Sequence, residues 1–139
     1  MHYLTVEDVV QINADLLDGE HQLSDPGLLA SAVGRPSQTV FGEEAYPTVF
    51  GKAAALFESL CLNHAFYNGN KRTAVVAVMH FLMWNGLLLA SDNGAFESYE
   101  IVNLAIDVIE HKMAMPRLEE WFKAHAWPID FSALEAEDE

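Results

Sequence analysis

Apolar positions along the chain recur mostly at helical spacing. Val6, Val9, Val10, Leu16 and Leu17, with Asn13 among them, trace one face of a helix that ends before Gly19. Thr5 can cap this helix, with Asp8 three residues on as an imperfect capping box. Asp25-Pro26 reads as a cap followed by a first-turn proline, opening a short helix from Gly27 to Val33 that stops at Gly34. Residues 38–47 carry Val40, Phe41, Gly42 and Tyr46 and suit a loop or a short β-hairpin. A helix from Thr48 to His64 turns Phe50, Ala53, Ala54, Phe57, Leu60 and Cys61 inward. After a break at 65–69, the helix from Asn70 to Asn85 is apolar almost all round, which predicts a buried central helix. Gly86 supplies its stop, and Leu87 to Ala90 suits a short strand. Helices from Phe96 to Lys112 and from Pro116 to Ala126 complete the pattern. The predicted class is all-α: a compact helical bundle with a buried central helix and at most a short β-hairpin.

The 139 residues suffice for one domain with its own core, expected over 1–132, with 133–139 as an acidic solvated tail. A hydrophobic content of 51% excludes a disordered chain despite the charge. That charge, −14 from 7 Lys+Arg against 21 Asp+Glu, argues against nucleic acid and against an anionic membrane as partners. The single cysteine, Cys61, excludes an internal disulfide and reads as inert core. The first ten residues lack the pattern of a signal peptide, and the longest apolar run, Ala74 to Trp84, is interrupted by His80 and too short to span a bilayer. The expected location is the cytoplasm.

One segment departs from scaffold chemistry: His64-Ala65-Phe66-Tyr67-Asn68-Gly69-Asn70-Lys71-Arg72-Thr73. It joins two apolar helices and puts Lys71 and Arg72 in the first turn of the second. Cations beside the positive end of a helix are unfavourable by about 0.3–1 kcal/mol each. Two of only seven cations placed there make sense if an anion binds. The free N–H groups of the first turn point ahead of the helix, and Gly69 permits a tight turn and close approach of a ligand. Lys71 adds a point charge, Arg72 a planar fork suited to phosphate, Asn68 an amide oxygen, and Asn70 a side chain able to shape the turn. His64, ending the previous helix, would face the same cavity as a general base. Base, phosphate cradle and positioning groups on one loop suggest phosphoryl or nucleotidyl transfer.

Singly, these residues have plainer readings. A histidine at a helix C-terminus commonly just offsets the dipole, and exposed Lys-Arg pairs are commonly solvated. Asn-Gly-Asn alone is a turn; Phe66 and Tyr67 read as packing residues, and His80 as a hydrogen-bonded core histidine. The histidines show no zinc-type spacing. The combination carries the inference.

That combination resembles the Fic/Doc motif, H-x-F-x-[D/E]-G-N-[G/K]-R, with eight of its nine positions consistent in His64 to Arg72. Lys71 resembles the Doc branch, the "death on curing" toxins. Gly27-Leu28-Leu29-Ala30-Ser31-Ala32-Val33-Gly34-Arg35-Pro36, Tyr46-Pro47 ahead of Lys52-Ala53-Ala54-Ala55-Leu56, and Phe81 to Gly86 are similar to stretches of the same family. The resemblance covers roughly residues 5–125. It implies a helical Fic fold and the toxin half of a toxin–antitoxin pair. The implied activity is transfer of the γ-phosphate of ATP to a threonine or serine of a translation factor of the elongation factor Tu kind. It implies His64 as general base, Gly69, Asn70, Lys71 and Arg72 against the phosphates, and Mg²⁺ at position 68. It further implies a flap, with Val40, Phe41 and Tyr46, against which a target peptide aligns as an added strand. No inhibitory [S/T]-x-x-x-E-[G/N] helix is complete in the chain: Thr39 to Glu44 fails at its last position. Inhibition is therefore expected in trans, from an antitoxin with a disordered C-terminal segment, basic or mixed in charge, that needs an apolar groove.

One position departs from the motif. Asn68 stands where the family has the acid that helps hold Mg²⁺, and an amide oxygen ligates without charge. The alternatives to the kinase reading are a Fic-type AMP transferase, against which Lys71 argues, and a Fic-fold binding protein without catalysis, which Asn68 supports.

Overall fold

In the computed structural model, described over residues 1–91, 94–95, 98–130 and 132, six α-helices surround one hydrophobic core. They are α1 (Val6–Leu16), α2 (Pro26–Gly34), α3 (Val49–Asn63), α4 (Asn70–Trp84), α5 (Ser98–Ile109) and α6 (Arg117–His125). A hairpin of β1 (Thr39–Val40) and β2 (Glu43–Glu44) lies between α2 and α3, after a 3₁₀ turn at Arg35–Ser37. A second sheet, in the order β4-β3-β5, joins β3 (Leu87–Ser91) to β4 (Gly94–Ala95) and β5 (Ala126–Pro128). The predicted starting residue of the fifth helix and the acidic tail lie outside the described residues. The last predicted helix stops at His125, because the next three residues pair with Leu87–Leu89 as β5.

Local signals place the ends of the elements. Thr5 accepts from the Asp8 N–H while Asp8 accepts from the Thr5 N–H, so the capping box is complete. Asp25 caps α2 ahead of Pro26, and Thr48 caps α3. Helix α4 is central as predicted and packs on α3, α1, α5 and β3. Its inner face buries Thr73, Ala74, Ala77, Val78, Phe81 and Leu82. It is not buried all round, and this corrects the sequence reading. Met79, Met83 and Trp84 are exposed, and His80 is half-buried, stacked on Trp84 with ring centroids 6.2 Å apart. Val76, Met79 and Met83 fall on one stripe at i, i+3, i+7, which the flanking helices leave open.

Candidate active site

The loop between α3 and α4 is held by its own backbone and by two buried asparagines. His64 ends α3 in the left-handed conformation, φ 54° and ψ 48°, and turns the chain out of the helix. The Ala65 carbonyl accepts from the Ser24 and Asp25 N–H groups, at 2.8 and 3.0 Å. Phe66 is buried and bridges to Leu23, while the Tyr67 N–H donates to the Gln22 carbonyl at 2.7 Å. Asn70 then closes the loop: its amide donates to the Phe66 carbonyl at 2.7 Å and its oxygen accepts from the Phe66 N–H at 3.0 Å.

Asn13, fully buried on α1, ties the loop to the first helix. Its Nδ2 donates to the Asn68 carbonyl and to Thr73 Oγ1, both at 3.1 Å, and its Oδ1 accepts from the Gln22 N–H at 2.8 Å. Gly69, at φ +79°, sits directly against it: a Cβ there would meet Asn13 Nδ2 at 3.3 Å. The glycine is needed for both its dihedral and its closeness. Sequence reading placed Asn13 on the apolar face of α1 without assigning it a role. The available signal was a polar residue on an apolar stripe, which must find partners when buried.

This frame fixes a cleft of about 430 Å³ lined by His64, Tyr67, Asn68, Gly69, Asn70, Lys71, Arg72 and Val102. Every residue that the sequence assigned to base and phosphate chemistry is therefore brought together. No side-chain hydrogen bond caps α4 at Gly69, so its first-turn N–H groups remain available to an anion. Lys71 and Arg72 are exposed, and neither makes an ion pair with a described residue. Asn70 contributes differently from its neighbours, since its side chain is spent on Phe66. Tyr67, read as packing, is 71% exposed and forms a wall of the cleft.

The flap residues separate into two groups. Val40 and Phe41 lie at the hairpin's end, Val40 in β1 and Phe41 in the turn. Tyr46 lies at its base, where its hydroxyl accepts from Arg35 Nε at 2.8 Å. Among the described residues, no group of three or more His, Cys, Asp or Glu is placed to hold a metal ion. Asn68 offers one neutral oxygen, so the residues present do not by themselves fit a protein-held Mg²⁺; such an ion would come with the nucleotide's phosphates. Cys61 behaves as read: burial, partly offset by Lys71, pushes its thiol up to about 12.

An apolar groove of about 310 Å³ adjoins the cleft and shares Arg72 and Val102 with it. Leu16 of α1, Val75, Val76 and Met79 of α4, and Ile101 of α5 complete its walls. No helix among the described residues is long and apolar enough to cross a membrane.

Comparison with known proteins agrees with the motif. The chain is 46% identical over 101 residues to the Toxin Doc of Mycolicibacterium smegmatis, which spans 73% of this chain and 78% of that protein. It is 28% identical over 109 residues to the Protein kinase doc of Escherichia phage P1, 76% of this chain and 81% of that protein. A model of the Fic/DOC family matches residues 3–82, from the first helix through most of α4.

Proposed function

The chain belongs to the Fic/DOC family, and on that premise we propose that it is the toxin of a toxin–antitoxin pair. Its activity is transfer of the γ-phosphoryl group of ATP to a Thr or Ser hydroxyl of a protein target, of the elongation factor Tu kind. The observation that carries the reading is the cleft that gathers His64, Lys71 and Arg72 at the uncapped start of α4. The names of the two relatives, a toxin and a protein kinase, support it.

The chemistry follows from the placement of the groups. The triphosphate lies against the first-turn amides of α4, with Lys71 as a point charge and Arg72 as a fork. His64 takes the proton of the target hydroxyl as its oxygen attacks the γ-phosphorus. The bond to the β,γ-bridging oxygen breaks, and ADP leaves. Lys71, Arg72 and the amides stabilise the charge that moves onto the leaving oxygen and the transferring group. A Mg²⁺ ion would be held mainly by the nucleotide's phosphate oxygens, where it would neutralise their charge, and Asn68 could offer it one neutral oxygen. The hairpin at 39–44 offers the target an edge for strand addition.

The antitoxin's neutralising segment lies, in this reading, along the groove between α1, α4 and α5. That groove is apolar and shares Arg72 with the cleft, so an occupant also covers the phosphate site. A basic or mixed segment suits a chain of net charge −14.

Intact-mass analysis of elongation factor Tu incubated with the chain, ATP and Mg²⁺ tests the reading, with Asn68→Asp run in parallel. A gain of one phosphoryl mass is expected, larger in extent for Asn68→Asp. A gain of one adenylyl mass assigns the AMP-transferase alternative. Failure of ATP to bind either form assigns the binding-protein alternative.

A further inference from the structure

Two of the chain's seven cations, Arg35 and Lys52, are spent on the base of the β1–β2 hairpin. Lys52, on the first turn of α3, is 1% exposed. Its Nζ donates to the Pro36 carbonyl just before β1, at 3.2 Å, and to Glu44 Oε1 in β2, at 3.0 Å. It also lies over the Tyr3 ring, 5.6 Å from its centroid. Arg35 holds the flanks: Nε donates to Tyr46 Oη at 2.8 Å, and Nη1 donates to Glu58 Oε1 at 2.8 Å and Ser59 Oγ at 2.9 Å on α3. A lysine buried this far from water is costly unless paired, and the half-buried Arg35 adds a second set of bonds, so together they fix the hairpin base.

Among the described residues, nothing comparable holds the far end. The turn at Phe41-Gly42 has both residues at positive φ, 52° and 81°, and Phe41 is 102% exposed. Both strands are exposed along their length. The hairpin is therefore clamped at one end and open at the other. The clamp runs into α3, whose far end leads directly into His64. From Lys52 to His64 the helix rises roughly 18 Å, at 1.5 Å per residue.

We infer that Lys52 and Arg35 are positioning residues for the protein substrate. Helix α3 is a strut, with the hairpin base fixed to it at Lys52 near its start and, through Arg35, at Glu58 and Ser59 past its middle, and the general base at its end. The two cations set the place of the hairpin edge relative to His64, and so decide which residue of a docked strand reaches the base. This rests on the reading of the hairpin as the docking edge under "Proposed function". It predicts that loss of the clamp weakens use of the protein substrate and leaves use of ATP alone.

The test is Lys52→Met in the full chain, with Lys52→Arg as the conservative variant. The first readout is exchange of the Ala45 amide, which bonds to the Gln38 carbonyl at 2.9 Å across the hairpin. Lys52→Met is expected to speed that exchange about tenfold while leaving Val78 in α4 protected, because only the local opening changes. The second readout is the KM for elongation factor Tu, expected to rise about tenfold with kcat and ATP affinity unchanged, and to recover in part with Lys52→Arg. Glu44→Gln, whose side chain is half exposed, repeats both tests in the same direction if Lys52→Met fails to fold. Ala45 exchange within twofold of the parent overturns the clamp. A loss of kcat and ATP affinity without a rise in KM overturns the positioning role. A parent chain inert toward proteins overturns the underlying reading instead, while the exchange arm still decides whether the clamp exists.

Discussion

The loop from His64 to Asn70 and the hairpin from Thr39 to Glu44 are both surface connections beside α3, yet they are built in opposite ways. The loop is fixed throughout: Ala65, Phe66, Tyr67 and Asn68 each have a backbone group bonded to a distant element or to a buried asparagine. The first-turn N–H groups of α4 and the side-chain tips of His64, Tyr67, Asn68, Lys71 and Arg72 are left to a ligand. Among the described residues, the hairpin is fixed at its base alone, and its strands and Phe41 are exposed. A group that must stabilise a transferring phosphoryl needs its geometry set beforehand, since reorganisation would be charged against the rate. A surface that meets a protein segment does better with an open edge and a free apolar tip.

The largest effect is expected at the general base. His64→Ala is expected to reduce transfer by about 10²–10⁴-fold, with the melting temperature nearly unchanged, because His64 is exposed and its proposed role is proton transfer. Lys71→Ala and Arg72→Ala should each follow with roughly a hundredfold loss, shown by reduced kcat more than by weaker ATP binding.

Next is the frame beneath the tips. Asn13→Ala orphans the Asn68 carbonyl and the Gln22 N–H, and Asn70→Ala orphans both backbone groups of Phe66. Each is expected to lose about 1–3 kcal/mol in a denaturant melt and to loosen the loop, seen as faster exchange of the Tyr67 amide. A change of similar chemistry in the hairpin, Thr39→Ala, should leave stability within about 0.5 kcal/mol, because that position is exposed. Equal losses at the two places would remove the distinction between them.

Met79→Glu sharpens the comparison from a third side. It puts a charge in the apolar groove without touching the loop's bonds, so antitoxin binding should weaken at least tenfold with transfer retained. The last effect lies at Cys61 and is absent at neutral pH. Its thiol is held near 12 when folded, against an ordinary value of 9.0. Between those values the unfolded chain gives up a proton that the folded chain keeps, so this contribution is complete below pH 9 and is lost as pH rises toward 12. Cys61→Ala should flatten that part of an alkaline stability profile.

The sequence was most legible where local chemistry decides structure. Thr5, Asp25 and Thr48 cap the helices as their side chains suggest. The cations at the start of α4 marked the cleft because they oppose the helix dipole. Less legible were features set by distant partners. Asn13 looks like an ordinary polar residue until the fold brings the Asn68 carbonyl, Thr73 and the Gln22 N–H to it, whereas Asn70, read as able to shape the turn, does so through Phe66. Lys52 looks like a surface lysine in an alanine-rich helix until Glu44 and the Pro36 carbonyl close over it. Helix α4 reads as buried because composition cannot tell a core face from an apolar face left open to solvent. Tyr67 reads as packing because only the path of the loop turns it outward. The short strand β5 owes its state to pairing with β3, which no local propensity encodes.

The central claim is that the loop ahead of α4 transfers the terminal phosphoryl group with His64 as base. It is tested most directly by incubating a bacterial protein extract with the chain and ATP labelled on either the γ- or the α-phosphate, beside His64→Ala. Label on protein from the γ-phosphate alone, absent with His64→Ala, is the predicted result. Label from the α-phosphate, or γ-label undiminished in His64→Ala, would contradict it.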